Sequence, residues 1–278
     1  MKRVLIELLA VVVLASCGGK KMQDPFAVMA QLPEPDVPVA DSLFVKEVLK
    51  PLEADELFDD FIFNYALDKT LQKQRTRFPL PYLAGDTVKT IEEKEWKHDY
   101  LFAAQNYYTL LFDRESDMEL VGDTTLHAVQ VEWISLVEPI RKKYYFEKEK
   151  GMWMLVSIEL SPADKAGRGD FISFYARFAT DSLFQGQHIQ TPLQFITIDP
   201  DDEFSVLETT LGINQWYAFR PPMPTDKLTN ICYGQSNKDA SNLKILKVNG
   251  IGNGYSNSLY FRKRAGEWQL YKYEDTSI

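Results

Sequence analysis

The stretch Phe58-Asp-Asp-Phe61-Ile-Phe-Asn-Tyr65-Ala66-Leu-Asp68-Lys-Thr-Leu-Gln72-Lys-Gln74-Arg-Thr-Arg-Phe-Pro79-Leu80 decides the architecture, because the chain carries it twice. Phe58, Phe61, Tyr65, Ala66, Asp68, Gln72, Gln74, Pro79 and Leu80 return 113 positions later as Phe171, Phe174, Phe178, Ala179, Asp181, Gln185, Gln187, Pro192 and Leu193. A second block returns at an offset of 115: Tyr145, Phe146, Lys148, Trp153 and Leu155 match Tyr260, Phe261, Lys263, Trp268 and Leu270. Two blocks at nearly one offset mark a duplication, and the period is too long for a solenoid. A unit of about 110 residues can bury its own core. The chain therefore divides into a leader at 1–17, a tether at 18–50, a first repeat at 51–164 and a second at 165–278.

Within each repeat the pattern runs from helices to strands. Phe58, Phe61 and Tyr65 are spaced three and then four apart, the period of one helix face, with Asp55, Asp59 and Asp60 near the start where the helix dipole favours acids. Asp68 and Asp181 break that helix and predict the cap of a short second one carrying Gln72 or Gln185. Pro79 and Pro192 lead into apolar runs that predict a first strand, which proline confines to a sheet edge. Val129, Val131 and Trp133 alternate with polar residues as a half-buried strand does. Lys143–Val156 predicts a hairpin turning near Gly151, and Ser258–Tyr271 is its copy turning near Gly266. Helices followed by an antiparallel sheet give an α+β order.

At the N-terminus, Lys2 and Arg3 precede the apolar stretch Val4–Leu14, which is too short to span a bilayer. Leu14-Ala15-Ser16-Cys17 resembles the lipobox of bacterial lipoproteins, which implies that Cys17 is lipidated and becomes the mature terminus. Acyl chains there would hold the protein on a membrane. Pro25, Pro33, Pro35 and Pro38 make the following segment an extended tether, whose Leu43–Leu49 end is apolar enough to dock on the first repeat. Gly-Gly-Lys-Lys after Cys17 lacks the acidic cluster that resembles a surface-export signal, which points to the periplasmic side of the outer membrane in the cell envelope.

The pattern Phe-x-x-Phe…Phe-Ala-x-Asp-x-x-Phe-Gln…Pro-Leu, closed by a Tyr-Phe…Gly-x-Trp-x-Leu hairpin, resembles an uncharacterised family of Bacteroidales lipoproteins, a domain of unknown function. That family is similar to the nuclear transport factor two-like, cystatin-like cone. The resemblance covers residues 52–278 and implies two tandem cone-shaped α+β domains, with N-terminal helices packed on a curved antiparallel sheet. The copies differ where Arg75 becomes His188 and Phe78 becomes Thr191.

Composition removes several functions. Loss of residues 1–16 leaves 29 basic and 39 acidic residues, net −10, so nucleic acid and anionic headgroups are not expected partners. His98, His127 and His188 are scattered, with no metal-ligand spacing, and no cofactor motif occurs. Cys232, in the apolar run Ile231-Cys232-Tyr233, reads as a buried thiol. Arg168-Gly169-Asp170 matches an adhesion tripeptide but is explained by a linker and a helix start. Arg141–Lys143 and Arg262–Arg264 read as solvated sheet faces.

The cone fold hosts enzymes with a carboxylate in an apolar cavity, whose pKa burial raises towards neutrality. Asp68 and Asp181 are the repeated carboxylates for that role and Tyr65 a donor, although capping explains the acids and Phe178 stands where a second hydroxyl would be. Trp96 and Trp216 are aromatics that could stack on a sugar or a steroid-like ligand. Tyr65, Asp68, Trp96, Phe178, Asp181 and Trp216 are thus the candidate cavity lining. The reading favoured is a membrane-tethered, non-catalytic binding or assembly lipoprotein. It takes a small apolar or sugar ligand, or an envelope protein, in a cone cavity or inter-domain groove. The alternative is an enzyme of isomerase, hydrolase or dehydratase type. Along the last strand of each repeat, Met152, Met154, Val156 and Ile158 oppose Glu267, Gln269, Tyr271 and Tyr273. Four apolar side chains on one outer face predict inter-domain packing there, and a monomer built as an intramolecular pseudo-dimer.

Overall fold

A computed structural model describes residues 57–138, 140–162, 169–234 and 241–278. The expected lipid site Cys17, the leader and tether, the Leu43–Leu49 segment and Arg168 lie outside the described residues. The first repeat forms α1 (Phe58–Leu67), α2 (Lys69–Gln74), β1 (Leu80–Ala84), β2 (Thr87–Ile91), β3 (Tyr107–Phe112), β4 (Ala128–Ser135), β5 (Ile140–Glu149) and β6 (Met152–Pro162). The second forms α3 (Gly169–Thr180), α4 (Ser182–Gln187), β7 (Ile189–Asp199), β8 (Asp202–Leu211), α5 (Ile213–Phe219), β9 (Lys227–Cys232), β10 (Leu243–Gly250), β11 (Ser256–Arg264) and β12 (Glu267–Asp275). The α+β order is as the periodicity predicts, and the halves are built alike.

Equivalent aromatics hold each helix pair in its sheet. Phe58 meets Trp153 edge-on at 5.1 Å between centroids, and Phe171 meets Trp268 at 5.2 Å. Tyr65 on Phe146 and Phe178 on Phe261 are both 5.3 Å, near-perpendicular contacts. Such pairs add about 0.5–1.5 kcal/mol each beyond the area they bury. The hairpins turn at Lys150-Gly151 and Ala265-Gly266, all four with positive φ, the turn whose twist matches the flanking strands.

Two features depart from the sequence reading. Each sheet contains a parallel ladder, β1 with β6 and β7 with β12, so the sheets are mixed, not antiparallel throughout. Because the first strand is sandwiched between two neighbours, it is no edge. Pro79 precedes β1, and Pro192 falls in the irregular stretch where the β7–β12 register shifts, so neither breaks a regular ladder.

The second departure is larger. The strand orders are β2-β1-β6-β5-β4-β9 and β3-β10-β11-β12-β7-β8. Each six-stranded sheet therefore takes five strands from its own repeat and one, β9 or β3, from the other. The exchanged strands also bond each other: Thr109 N–H donates to Thr229 Oγ1 at 2.7 Å, and Leu111 N–H to Asn230 Oδ1 at 2.7 Å. Leu110 and Phe112 enter the first core while Leu111, between them, enters the second. The repeats are one interlocked body, and neither sheet is complete without the other half.

The expected outer face of β6 needs correction. A bulge sets Phe146 opposite Leu155 but Tyr145 opposite Ser157, leaving Val156 unpaired and inverting the alternation beyond it. Ile158, 2 % exposed, consequently joins Trp153 and Leu155 in the first core. Met152, Met154 and Val156 are half-buried. The matching bulge at Tyr271 sends Tyr273 into the second core. The outer face that is closed by the other repeat belongs to the second sheet, where Ile245 and Tyr260 are buried with the first core and Tyr271 packs against it.

Candidate functional site

The six candidate cavity residues resolve into two copies of one structural clamp. Asp68 Oδ1 accepts from Thr70 N–H and Leu71 N–H at 2.7 and 3.1 Å, and Asp181 Oδ1 accepts from Phe184 N–H at 3.0 Å, so both acids cap helices. Gln72, fully buried, donates to the Tyr65 carbonyl at 3.0 Å and accepts from Trp96 Nε1 at 3.1 Å. Gln185 donates to the Phe178 carbonyl at 2.9 Å and accepts from Trp216 Nε1 at 2.9 Å and from Arg220 at 2.8 Å. Tyr65 shares a 2.8 Å hydrogen bond with Thr76 Oγ1, and burial raises its pKa. Tyr65, Phe178 and Trp216 are core, and Trp96 is half-buried against it. None of the six lines either cavity described next. A buried glutamine satisfies chain carbonyl and indole together, which is why these residue types repeat.

Two cavities lie where an exchanged strand meets the other repeat's sheet. The first, about 380 Å³, is lined by Asp99, Trp133, Lys142, Tyr144, Asp226 and Lys227, with Ser135, Ile140, Arg141 and Leu160. The second, about 480 Å³, is lined by Asn106, Tyr107, Pro222, Met223, Pro224, Val248, Asn253 and Tyr255. They are related by the duplication. Trp133 and Ile140 correspond to Val248 and Tyr255 at the 115-residue offset, and Asn106 and Tyr107 precede Asp226 and Lys227 by 120. The side chains at these equivalent positions differ completely.

Asp99 is the hub of the first mouth. Its backbone N–H donates to Gln72 Oε1 at 2.9 Å and its carbonyl accepts from Gln72 Nε2 at 2.8 Å, so the glutamine clamp fixes its position. Its Oδ2 accepts from Lys142 Nζ at 2.9 Å and Tyr144 OH at 2.5 Å, and Oδ1 accepts from Leu101 N–H at 3.0 Å. Burial alone would raise its pKa, but the Lys142 charge and these donors outweigh that and hold the carboxyl below its usual range. Burial first, then Asp99, pushes the Tyr144 hydroxyl upward, so it stays protonated and donates. Lys227 Nζ lies 4.2 Å from the Trp133 ring centroid, and the buried Trp133 Nε1 has no hydrogen-bond partner.

Arg141–Lys143 is not the solvated run its composition predicts. Arg141 is 7 % exposed and faces the buried Glu132 carboxylate at 3.6 Å, while Lys142 points to the mouth side with Tyr144. Gly169 and Asp170 begin α3, and Asp170 Oδ1 accepts from Phe171 N–H at 2.7 Å. Cys232 is buried. Among the described residues no group of three or more His, Cys, Asp or Glu side chains could hold a metal ion, and no helix is long and apolar enough to cross a membrane.

Helices seated in the concave side of a curved mixed sheet, here twice over, define the NTF2-like class of α+β cones. A crystal structure of an NTF2-like protein from Bacteroides fragilis is 59 % identical, with a TM-score of 0.78 over 82 % of this chain and all of its own. An NTF2-like protein of unknown function from Shewanella baltica is 9 % identical, covering 41 % of this chain and 94 % of its own at a TM-score of 0.25, too slight a likeness to inform the fold. The chain belongs to the DUF4348 family, a domain of unknown function, whose profile matches residues 39–275. No curated protein matches the sequence.

Proposed function

We propose that this protein is a non-catalytic binding lipoprotein of the bacterial cell envelope. In this reading it is anchored through Cys17 on the periplasmic face of the outer membrane and binds a small sugar at the first mouth. The observation that carries the reading is the state of Asp99. A cone enzyme needs a cavity carboxylate free to exchange a proton near neutrality, whereas Asp99 is held ionised with its oxygens occupied by Lys142, Tyr144 and Leu101. Such an array orients donors. Lys142 is paired with Asp99, Arg141 faces Glu132, and Asp226 lines the mouth beside Lys227, which favours an uncharged ligand. Ser135 and the lysine donors favour one rich in hydroxyls.

Calorimetric titration of the purified chain with a panel of mono- and disaccharides tests this. Binding by the parent that weakens at least tenfold in Lys142→Ala supports it. No binding across the panel, or turnover that falls in Asp99→Asn, overturns it.

A further inference from the structure

The two sheets differ at their outer edges. β2 ends the first sheet and β8 the second, while the strands at the opposite ends, β9 and β3, bond each other. The two edge hairpins start alike: Leu80 opposes Ile91, and Leu193, 113 residues later, opposes Leu211. The first hairpin stops at Ala84 opposite Thr87. The second reaches the matching pair, Thr197 opposite Leu207, and continues through Ile198 opposite Val206 to Asp199 opposite Asp202. The fold does not require that added stretch, because the first repeat closes its sheet without it.

The extension carries apolar side chains that the core does not use. Phe204 is 92 % exposed and Val206 55 %, and the alternation along β8 sets both on one face. Leu207, on the other face, is exposed as well, and the exposed Phe219 at the end of α5 lies 6.3 Å from Phe195 on that same face. Natural sheets keep their edges short or mark them with lysine, which prevents foreign strands from adding there. β2 follows that rule, with five residues and Lys89 at its centre. β8 has ten residues and no lysine, arginine or proline. An unguarded edge with apolar side chains on both faces suits strand addition, in which the backbone ladder supplies affinity and alternate side chains supply selectivity.

The charge of this hairpin selects the occupant. From Ile189 to Phe219 the chain has no lysine, arginine or histidine, while Asp199, Asp201, Asp202 and Glu208 lie along β8 or at the turn before it. A second copy would bring the same acids edge to edge, and like charges set opposite one another are unfavourable. We propose that β8 is a docking edge for an extended segment of another protein, which alternates apolar and basic side chains and adds to the second sheet as a further strand. Its apolar side chains meet Phe204, Val206 and Leu207, and its bases meet Asp202 and Glu208. This edge shares no residue with either mouth, so sugar binding at the first mouth is independent of it.

The probe is the end-blocked peptide Lys-Val-Ile-Thr-Ile-Val-Lys. Its controls are Glu-Val-Ile-Thr-Ile-Val-Glu, of opposite charge, and Lys-Val-Ile-Pro-Ile-Val-Lys, which keeps the charge but breaks a regular ladder. In calorimetric titration of the full chain, the probe should bind at least tenfold tighter than either control. It should also slow hydrogen exchange at the β8 amides that point away from β7, a measurement that needs no variant. Phe204→Ser with Val206→Lys should weaken the probe at least tenfold, and because both positions are exposed the double variant should unfold at the parent temperature. Val88→Lys, at the exposed edge of the first sheet, should leave binding unchanged. No binding of the probe, equal binding of the proline control, or unchanged affinity in the double variant overturns the proposal; the second result would mean attraction by charge alone. Outward β8 amides already protected in the parent without peptide would overturn it too, because a second copy or another part of this chain would then cover the edge.

Discussion

Gln185→Leu should destabilise the protein by about 4 kcal/mol, and the structure supplies the parts of that figure. Leucine matches the volume of the glutamine closely enough that packing changes little. What is lost is the bond to the Phe178 carbonyl at 2.9 Å and the one from Trp216 Nε1 at 2.9 Å. Gln185 is 1 % exposed and Trp216 is 0 % exposed, so water replaces neither partner. Leaving a buried donor or acceptor unpaired costs roughly 1–3 kcal/mol each, and two such groups sum to about 2–6. Arg220, also bonded to Gln185, is half-buried and can turn to water, so it adds little. The measure is urea unfolding of the purified chain by circular dichroism, with the midpoint falling and the slope unchanged. Trp216→Phe in the Gln185→Leu background should cost less than Trp216→Phe alone, because the indole N–H it removes is already unpaired. A Gln185→Leu loss under about 1 kcal/mol, or strict additivity of the pair, would refute the clamp as described.

Two more outcomes follow from the interlock and from Asp99. Residues 51–164 expressed alone leave β4 without β9 and β3 without β10, so this fragment should aggregate or form a strand-exchanged dimer; a stable folded monomer by light scattering would contradict the shared sheets. Because the folded pKa of Asp99 lies below its ordinary value of about 3.9, its stabilisation is complete above about pH 5 and is lost as pH falls below that ordinary value and through the lower folded pKa. Asp99→Asn should therefore flatten the acid limb of stability below about pH 5, and an unchanged limb counts against an ionised, paired Asp99.

The duplicated helices and the terminal hairpin were legible because each is local: a three-four spacing of aromatics, an acid cap and a Gly turn need no distant partner. The strand exchange was not. Val129, Val131 and Trp133 announce a half-buried strand but do not say that its neighbour is β9, more than ninety residues further on. The outer face of β6 misled for a related reason. Period-two counting assumes an unbroken ladder, and the bulge at Val156 moves Ile158 to the other face. The candidate site failed because Trp96, Trp216 and the two aspartates repeat, and repetition reports what the scaffold needs in both halves. Lys142 and Lys227, which share the first mouth, come from different repeats and have no sequence signature as a pair.

Repetition can then be turned around as a guide to function. A duplicated fold supplies its own control: positions alike in both halves answer to folding, and equivalent positions that diverge are released from it. The glutamine clamps, helix caps and Phe–Trp contacts are alike and structural. At the mouths, Trp133 faces Val248 across the duplication, Ile140 faces Tyr255, and Lys227 faces Tyr107. One mouth is lined by charges of both signs and the other mostly by apolar and neutral side chains, each beside a strand taken from the other repeat. Divergence confined to solvent-facing loops would need no explanation. Divergence in the walls of two cavities is the pattern that the proposed binding role expects, with a different occupant in each.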